Sequence, residues 1–238
     1  MIKVLPIKNP DLLKEIQADL YKLKDAHGRR VFLMFSVGIY TGLRISDIVG
    51  LQVRHVSGQY INLVETKTGK ETEVVINENL AAVLDERLAG MSPDDWLFPS
   101  QKRGAGGQIR HISTRTAADD MHWIAKRYDL KFPFCCHSMR KIYGYWYYKT
   151  SGGDIEGLRQ YFNHSDVNIT KRYIGVDRDE VNEMSKKLYM GFRVPREGKR
   201  PARQRNSDPV GIKRLDRTKQ GEAWAESRRK PKQAQSHV

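Results

Sequence analysis

Cysteine is nearly missing from this 238-residue chain: Cys135 and Cys136 stand side by side and no others occur. Adjacent thiols build no disulfide framework, and no Cys/His spacing suits a structural zinc. No run reaches the roughly 18 uncharged apolar residues that a membrane span needs, and mean hydropathy is −0.64. The apolar stretch after Met1 is too short for a secretory signal. Acidic residues are scarce relative to basic ones: 28 Asp and Glu face 42 Lys and Arg, a formal charge of +14. No carboxylate cluster is arranged to hold Mg²⁺. The glycine-rich run Gly104-Ala105-Gly106-Gly107 lacks the strand–loop–helix context and the Lys-Ser/Thr of a nucleotide cradle, and reads as a flexible loop. These absences exclude a disulfide-stapled miniprotein, a zinc finger, a membrane protein and a P-loop enzyme. They leave the expectation of a cytoplasmic protein with reduced thiols, no cofactor, no membrane association and a polyanionic partner.

The positive charge is unevenly placed. Residues 193–238 hold 14 Lys/Arg against 5 Asp/Glu, together with Pro195, Pro201, Pro209 and Pro231 and almost no apolar periodicity. This segment is expected to be a disordered basic tail. A solvated, expendable tail is one reading. The other is contact with a nucleic-acid backbone through residues such as Arg193, Arg196, Lys199, Arg200, Arg203 and Arg205, which gains affinity by counterion release without needing a fold. A short docking helix around Gly221–Lys230 is a further expectation. Residues 1–192 form the folded domain.

Within that domain the spacing predicts mostly helices. Asn9-Pro10-Asp11 ahead of Leu12, Leu13, Ile16, Leu20 and Leu23 is a capped amphipathic helix, stopped near Gly28. Val31–Tyr40 is a buried helix broken by Thr41-Gly42-Leu43, and Ile45–Leu51 is a short one. Ile61–Glu65 and Thr72–Ile76 are β-branched or alternating, and Lys67-Thr68-Gly69-Lys70 joins them as a hairpin. Further helices are predicted from Asn77 to Gly90, Ser113 to Tyr128, Ser138 to Thr150, Asp154 to Asn163, Asn168 to Ile174 and Asp177 to Met190, the last opened by a capping-box pattern. The fold class is mainly α with a small antiparallel β-hairpin or sheet, an α+β domain.

Several residues in this frame carry chemistry, each with a bland alternative. Arg44 follows a buried helix and needs a partner or an anion; taken alone it is a salt-bridge residue, with Asp47 the nearest acid. His137 and Arg140 share a helix face near a start that favours phosphate, yet a lone histidine there is an ordinary cap. His164 lies near a helix end, and Tyr173 follows nine residues later in a chain with eleven tyrosines. Lys67 alone is a turn cation. The aromatic stripe Tyr143–Tyr148 reads as core.

As a set, Arg44-x-x-Asp47, the hairpin Lys67, His137-x-x-Arg140, His164 and Tyr173 resemble the tyrosine recombinase, or phage integrase, family over about residues 9–190. The stretches around His137-Ser-Met-Arg-Lys, Asn163-His-Ser and Arg172-Tyr-Ile-Gly particularly resemble integrases of phages and conjugative elements of Gram-positive bacteria. Lys141 stands where a His often follows the second arginine, and Asn163 where Gly often precedes the histidine. The resemblance implies a catalytic-domain fold over residues 1–192, with the family's separate N-terminal DNA-clamping (core-binding) domain absent. It implies Tyr173 as nucleophile, Arg44 and Arg140 as phosphate-binding arginines, His137 and His164 as site histidines, Lys67 as the hairpin lysine and Asp47 as the acid supporting the first arginine. It also implies double-stranded DNA as partner, assembly as a tetramer on DNA, and strand exchange through a 3′-phosphotyrosyl link without metal or ATP. An accessory DNA-binding protein is one way to make up for the missing clamp. The segment Asp177–Met190 is then either a helix docked on a neighbour or one folded on its own domain. A DNA-binding regulator that keeps the fold without recombining, and a nicking-closing activity of the type IB topoisomerase kind, are the alternatives. Cations around Tyr173 are expected to favour its phenolate.

Overall fold

The protein is described by a computed structural model in which residues 4–176 and 182, 185 and 186 are placed. Most of the expected helix Asp177–Met190, the whole basic tail with Arg193, Arg196, Lys199, Arg200, Arg203 and Arg205, and the Gly221–Lys230 segment lie outside the described residues. The chain divides into a unit Met1–Leu188 and a unit Tyr189–Val238, and the described residues all belong to the first.

Helix α1 (Pro10–Lys22) starts where capping chemistry puts it: the Asn9 side chain accepts from the Asp11 and Leu12 N–H groups, and Pro10 needs no donor of its own. Helix α2 (Ala26–Thr41) begins a turn earlier than its apolar run suggests. Asp25 caps it by accepting from the Gly28 N–H, so Gly28 lies inside α2 and does not end α1. One glycine costs a helix only about 1 kcal/mol, and the burial of Val31, Leu33, Met34, Phe35, Val37 and Ile39 outweighs that.

The remaining helices are α3 (Ile45–Val49), α4 (Glu78–Leu88), α5 (Thr114–Arg127), α6 (Cys136–Thr150), α7 (Ile155–Phe162) and α8 (Val167–Ile174). Asn77, Ser113, Asp154 and Asp166 cap α4, α5, α7 and α8 through their side chains. The first sheet orders β1 (Val56–Ser57), β2 (Tyr60–Val64) and β3 (Glu71–Val75) antiparallel, with Ile61 opposite Val74. Those two residues face the core, while Val64 and Val75 face outward. The expected hairpin is therefore present, with a short third strand added by a two-residue segment that carries no sequence pattern. The Gly104–Gly107 run, expected as a loop, is the tip of a second hairpin, β4 (Pro99–Arg103) with β5 (Ile109–His111). Its strands are polar and exposed on nearly every residue, so no alternation marks them.

Helix α2 is the spine. It contacts α1, α3, α4 and α6, and polar ties reinforce the shell: Arg30 grips the buried Asp120 of α5 at 2.8 and 2.9 Å. A smaller cluster of Tyr145, Leu158, Phe162, Ile174 and Val176 joins α6, α7 and α8. The α6 aromatic stripe packs there and against the main core, as its core reading expects. Gly144 makes the close approach possible: a Cβ at that position would sit 2.7 Å from Ile174 Cγ2 and 2.9 Å from the Phe162 ring. Gly144→Ala is expected to force α8 and α7 away from α6 and to destabilise the domain by about 1–3 kcal/mol. A urea midpoint equal to that of the unaltered protein would show that these helices have room to spare.

Candidate active site

Four chain breaks, the first at the end of α2, converge on one cleft. At the α2 C-terminus Gly42 adopts φ +62°, a left-handed cap that a side chain would disfavour, and a Cβ there would also strike the Tyr143 ring at 2.5 Å. The chain then turns so that Arg44 occupies the N-cap position of α3. Helix α6 opens at Cys136, two residues before the expected Ser138, which places His137 in its first turn and Arg140 one turn further on. Asn163 ends α7 at φ +54°, and the reversal brings His164 and the α8 residue Tyr173 back against Phe162. The β2–β3 turn supplies Lys67.

Arg140 is the most constrained of these groups. It is 7% exposed. Its Nη1 donates to the Gly42 carbonyl and its Nη2 to the Phe162 carbonyl, and the guanidinium carbon lies 4.1 Å from the Phe162 ring centroid. Burial pulls its pKa below the usual arginine value, but arginine starts so high that the charge persists. The carbonyls and the π-face compensate for lost water.

Arg44 corrects one expectation. Its ion-pair partner is Glu65, with Nη1 2.8 Å from Oε2, and not Asp47. Asp47 is buried and instead accepts from the Thr66 backbone N–H at 2.9 Å and the Ser46 hydroxyl at 3.3 Å. It therefore anchors the foot of the turn that carries Lys67. The reason is geometric: the chain leaving β2 passes the start of α3, which puts the Glu65 carboxylate at Arg44 and the Thr66 N–H at Asp47. Glu65, at the end of β2, accepts from the Thr68 hydroxyl at 2.6 Å as well as pairing with Arg44. Burial pushes its pKa up, but the Thr68 hydroxyl and the Arg44 guanidinium outweigh that and hold the carboxyl below its ordinary value. Sequence reasoning misses Glu65; its one signal is an acid two residues before the hairpin lysine.

His164 Nδ1 lies 3.0 Å from the Thr170 hydroxyl, which is placed to donate to the Asp166 carbonyl at 3.4 Å. We assign the Nδ1–H tautomer on that network, which leaves Nε2 as the acceptor nitrogen. Burial first, then the positive charges of Arg140 and Arg44, lower the His164 pKa. Burial, Lys141 and Arg140 do the same for His137. Both imidazoles are thus neutral at neutral pH. Tyr173 meets the rings of Phe162 and His164 edge-on, with centroids 5.6 and 5.3 Å away. Its pKa runs against expectation. Arg140 and Arg44 do favour the phenolate, but burial outweighs them and raises the pKa above 10.0. The phenol keeps its proton at neutral pH.

The arginines, Lys67, both histidines and Tyr173 face one cleft of about 420 Å³. Its lining includes Arg44, Lys67, His137, Arg140, His164 and Tyr173, with Ser46, Cys136 and Asn163 between them, and contains no carboxylate. Asp47 is outside the lining. Another concavity, of about 400 Å³ between α1, α2 and α4, shares no residue with it. Such a lining suits a group with several negative oxygens, bound by forked arginines beside a phenol and two neutral imidazoles.

Known proteins resemble this chain in sequence and in fold. The family model described as "Phage integrase family" matches residues 10–180. A Bacillus subtilis (strain 168) protein named "Probable integrase/recombinase YoeC" is 32% identical over 177 residues, covering 74% of this chain and 92% of that protein. A "Tyrosine recombinase" of Pseudothermotoga lettingae is 26% identical, and the match covers 78% of this chain and 66% of the relative, so the chain spans just under two thirds of its length. Among solved structures, the XerA recombinase superposes with a TM-score of 0.61 at 22% identity, over 79% of this chain and 65% of that one. XerH bound to palindromic difH gives 0.60 at 17% identity, over 77% and 53%. At those identities the two structures speak to fold.

The lowered histidine pKa values set a pH dependence. Below about pH 6.5 the unfolded chain binds protons that the folded chain resists, so stability falls as pH drops from about 7.5 to 5.5. His164→Gln is expected to show a shallower fall than the unaltered protein in urea unfolding at those two pH values. Equal falls would mean that His164 is not held neutral by its surroundings.

Proposed function

The chain belongs to the phage integrase family, and from that membership we propose that it is a site-specific recombinase that cuts and rejoins double-stranded DNA through a covalent 3′-phosphotyrosyl link at Tyr173. The observation that carries the proposal is that six residues scattered over 130 positions, from Arg44 to Tyr173, line a single cleft. A DNA-binding regulator freed from catalysis has no need to keep that convergence.

The geometry supports the following assignment. A scissile phosphodiester enters the cleft with its non-bridging oxygens toward Arg44 and Arg140. The phenol proton passes to a neutral imidazole, and His164 is the one beside the ring. The Tyr173 oxygen attacks phosphorus, a Tyr–O–P bond forms and the P–O5′ bond breaks. Lys67, exposed at a turn braced by Glu65 and Asp47, delivers a proton to the departing 5′ oxygen. Attack by a 5′ hydroxyl of another strand reverses each step. The covalent link conserves the bond energy, so no ATP is assigned a role, and the arginines, histidines and lysine supply the charge neutralisation that a metal gives in other phosphoryl-transfer sites. Burial of the phenol fits a nucleophile that is ionised only when phosphate, arginines and base are assembled. Asp47 and Glu65 are supporting residues.

The wider setting is part of the same reading. XerH, which shares the fold, was solved with its difH substrate, which supports duplex DNA as the partner. The tetrameric assembly, an accessory DNA-binding protein, a phage or mobile-element origin and action at the bacterial nucleoid follow the family. The tail 193–238 is proposed to contact DNA backbone through its arginines and lysines.

Two experiments test this. Incubation with a pool of nicked suicide duplexes randomised around the nick is expected to yield a covalent adduct on a denaturing gel. Tyr173→Phe abolishes the adduct, and Arg44→Ala slows it by about 10²–10³-fold. Mobility shift without adduct would point to the regulator reading, and supercoil relaxation without strand exchange to the topoisomerase reading. Removal of residues 193–238 is expected to lower DNA affinity and flatten its salt dependence, by about 0.9 in log–log slope for each phosphate that the tail neutralises. An unchanged slope would make the tail a bystander.

A further inference from the structure

We infer that Lys141 is a positioning residue for the phenol of Tyr173, with the N-terminal segment holding its ammonium against the face of the tyrosine ring. The inference rests on the reading of Tyr173 as nucleophile. Lys141 Nζ lies 4.8 Å from the Tyr173 ring centroid and donates to the Val4 carbonyl at 2.9 Å. The residue is 9% exposed. An ammonium at that depth needs partners that offset its lost hydration, and a carbonyl oxygen and a π-face both do so.

The arrangement is a strap. Residues 4–8 precede α1 and are fixed to the site-bearing helices at three points. Lys141 of α6 holds the Val4 carbonyl. Trp146 of α6 donates through Nε1 to the Ile7 carbonyl at 3.2 Å. Lys8 donates to the Gly175 carbonyl at 3.0 Å, at the C-cap of the helix that carries Tyr173. Two consecutive α6 cations thus divide the work. Arg140 ties α6 to the Gly42 and Phe162 carbonyls, and Lys141 ties it to the strap and to the Tyr173 ring.

Placement over the ring has a chemical consequence. A cation against an aromatic face interacts more strongly with phenolate than with phenol, because ionisation adds electron density to the ring. The other groups facing Tyr173 are Arg140 on α6 and Arg44 before α3, which also favour the phenolate, and Cys135 ahead of α6, which opposes it. His164 meets the ring edge-on from the α7–α8 turn, and Lys67 and His137 line the same cleft. The helix of Tyr173 itself carries Lys171 and Arg172. Among the described residues, Lys141 is the cation seated over the ring.

The test uses the full chain with tyrosines ¹³C-labelled at Cζ, so that ionisation is read by NMR without DNA. The Tyr173 resonance is the one missing from Tyr173→Phe. Lys141→Met is expected to move the Tyr173 transition up by about half to one pH unit, and Lys141→Arg to leave it in place. Lys141→Gln keeps a donor for the Val4 carbonyl but removes the charge, so it separates tether from cation and serves if Lys141→Met does not fold. Its transition is expected to rise as well. With the randomised nicked duplex pool, the pH profile of adduct formation shifts upward in Lys141→Gln, its rate at pH 7 falls about three- to tenfold, and DNA affinity holds. A folded Lys141→Gln with an unmoved transition and an unmoved adduct profile would overturn the inference and leave Lys141 a tether. A shifted transition with no adduct from any variant, the unaltered chain included, would keep the Lys141–Tyr173 coupling and overturn the nucleophile reading instead.

Discussion

The Arg140 guanidinium is the point on which the site depends. It is buried, it carries charge, and it closes two backbone carbonyls that belong to different elements: Gly42 at the end of α2 and Phe162 at the end of α7. Without it, both carbonyls lose their partner and the two chain reversals that place Arg44 and His164 lose their common strut. Such a group costs several kcal/mol to desolvate unless carbonyl and π contacts compensate. A residue that served packing alone would be replaced at less cost by an apolar side chain. The arrangement holds a fixed positive charge in the lining of the cleft, where the proposed function places an anion.

The rest of the cleft is built from competition between burial and charge. Burial raises the phenol of Tyr173 and lowers both imidazoles, so the site holds a protonated phenol and neutral imidazoles. The arginines pull the phenol the other way without winning. This is a resting state. Under the proposed function, a phosphate between Arg44 and Arg140 would bring its own charge and exclude water, which would strengthen every remaining interaction. Glu65 belongs to the same balance. By pairing with Arg44 and accepting from Thr68, it links the first arginine to the turn that presents Lys67. A charge change at Glu65 reaches two cleft residues at once.

The backbone features that position these groups are short-range. Left-handed caps at Gly42 and Asn163, side-chain caps from Asn9, Asp25, Asn77, Ser113, Asp154 and Asp166, and the close α6–α8 approach at Gly144 account for where the helices start, stop and touch. The strap of residues 4–8 adds a long-range tie between the first residues of the domain and the helix of Tyr173.

Sequence alone was enough for what depends on near neighbours. Apolar periodicity and capping residues marked the helices, β-branched runs around Lys67–Lys70 marked the first hairpin, and the order Arg44, Lys67, His137, Arg140, His164, Tyr173 marked the family. Elements with no amphipathic signal escaped it: the two-residue β1, and β4 and β5, whose exposed polar strands look like loop. Tertiary structure alone decided the partners. It gave Arg44 to Glu65 and Asp47 to the Thr66 N–H, seated Lys141 between Val4 and Tyr173, and set the phenol deep enough for desolvation to exceed the pull of two arginines. Pairing and burial are properties of distance in space, and residues far apart in the chain acquire them only when the backbone has closed.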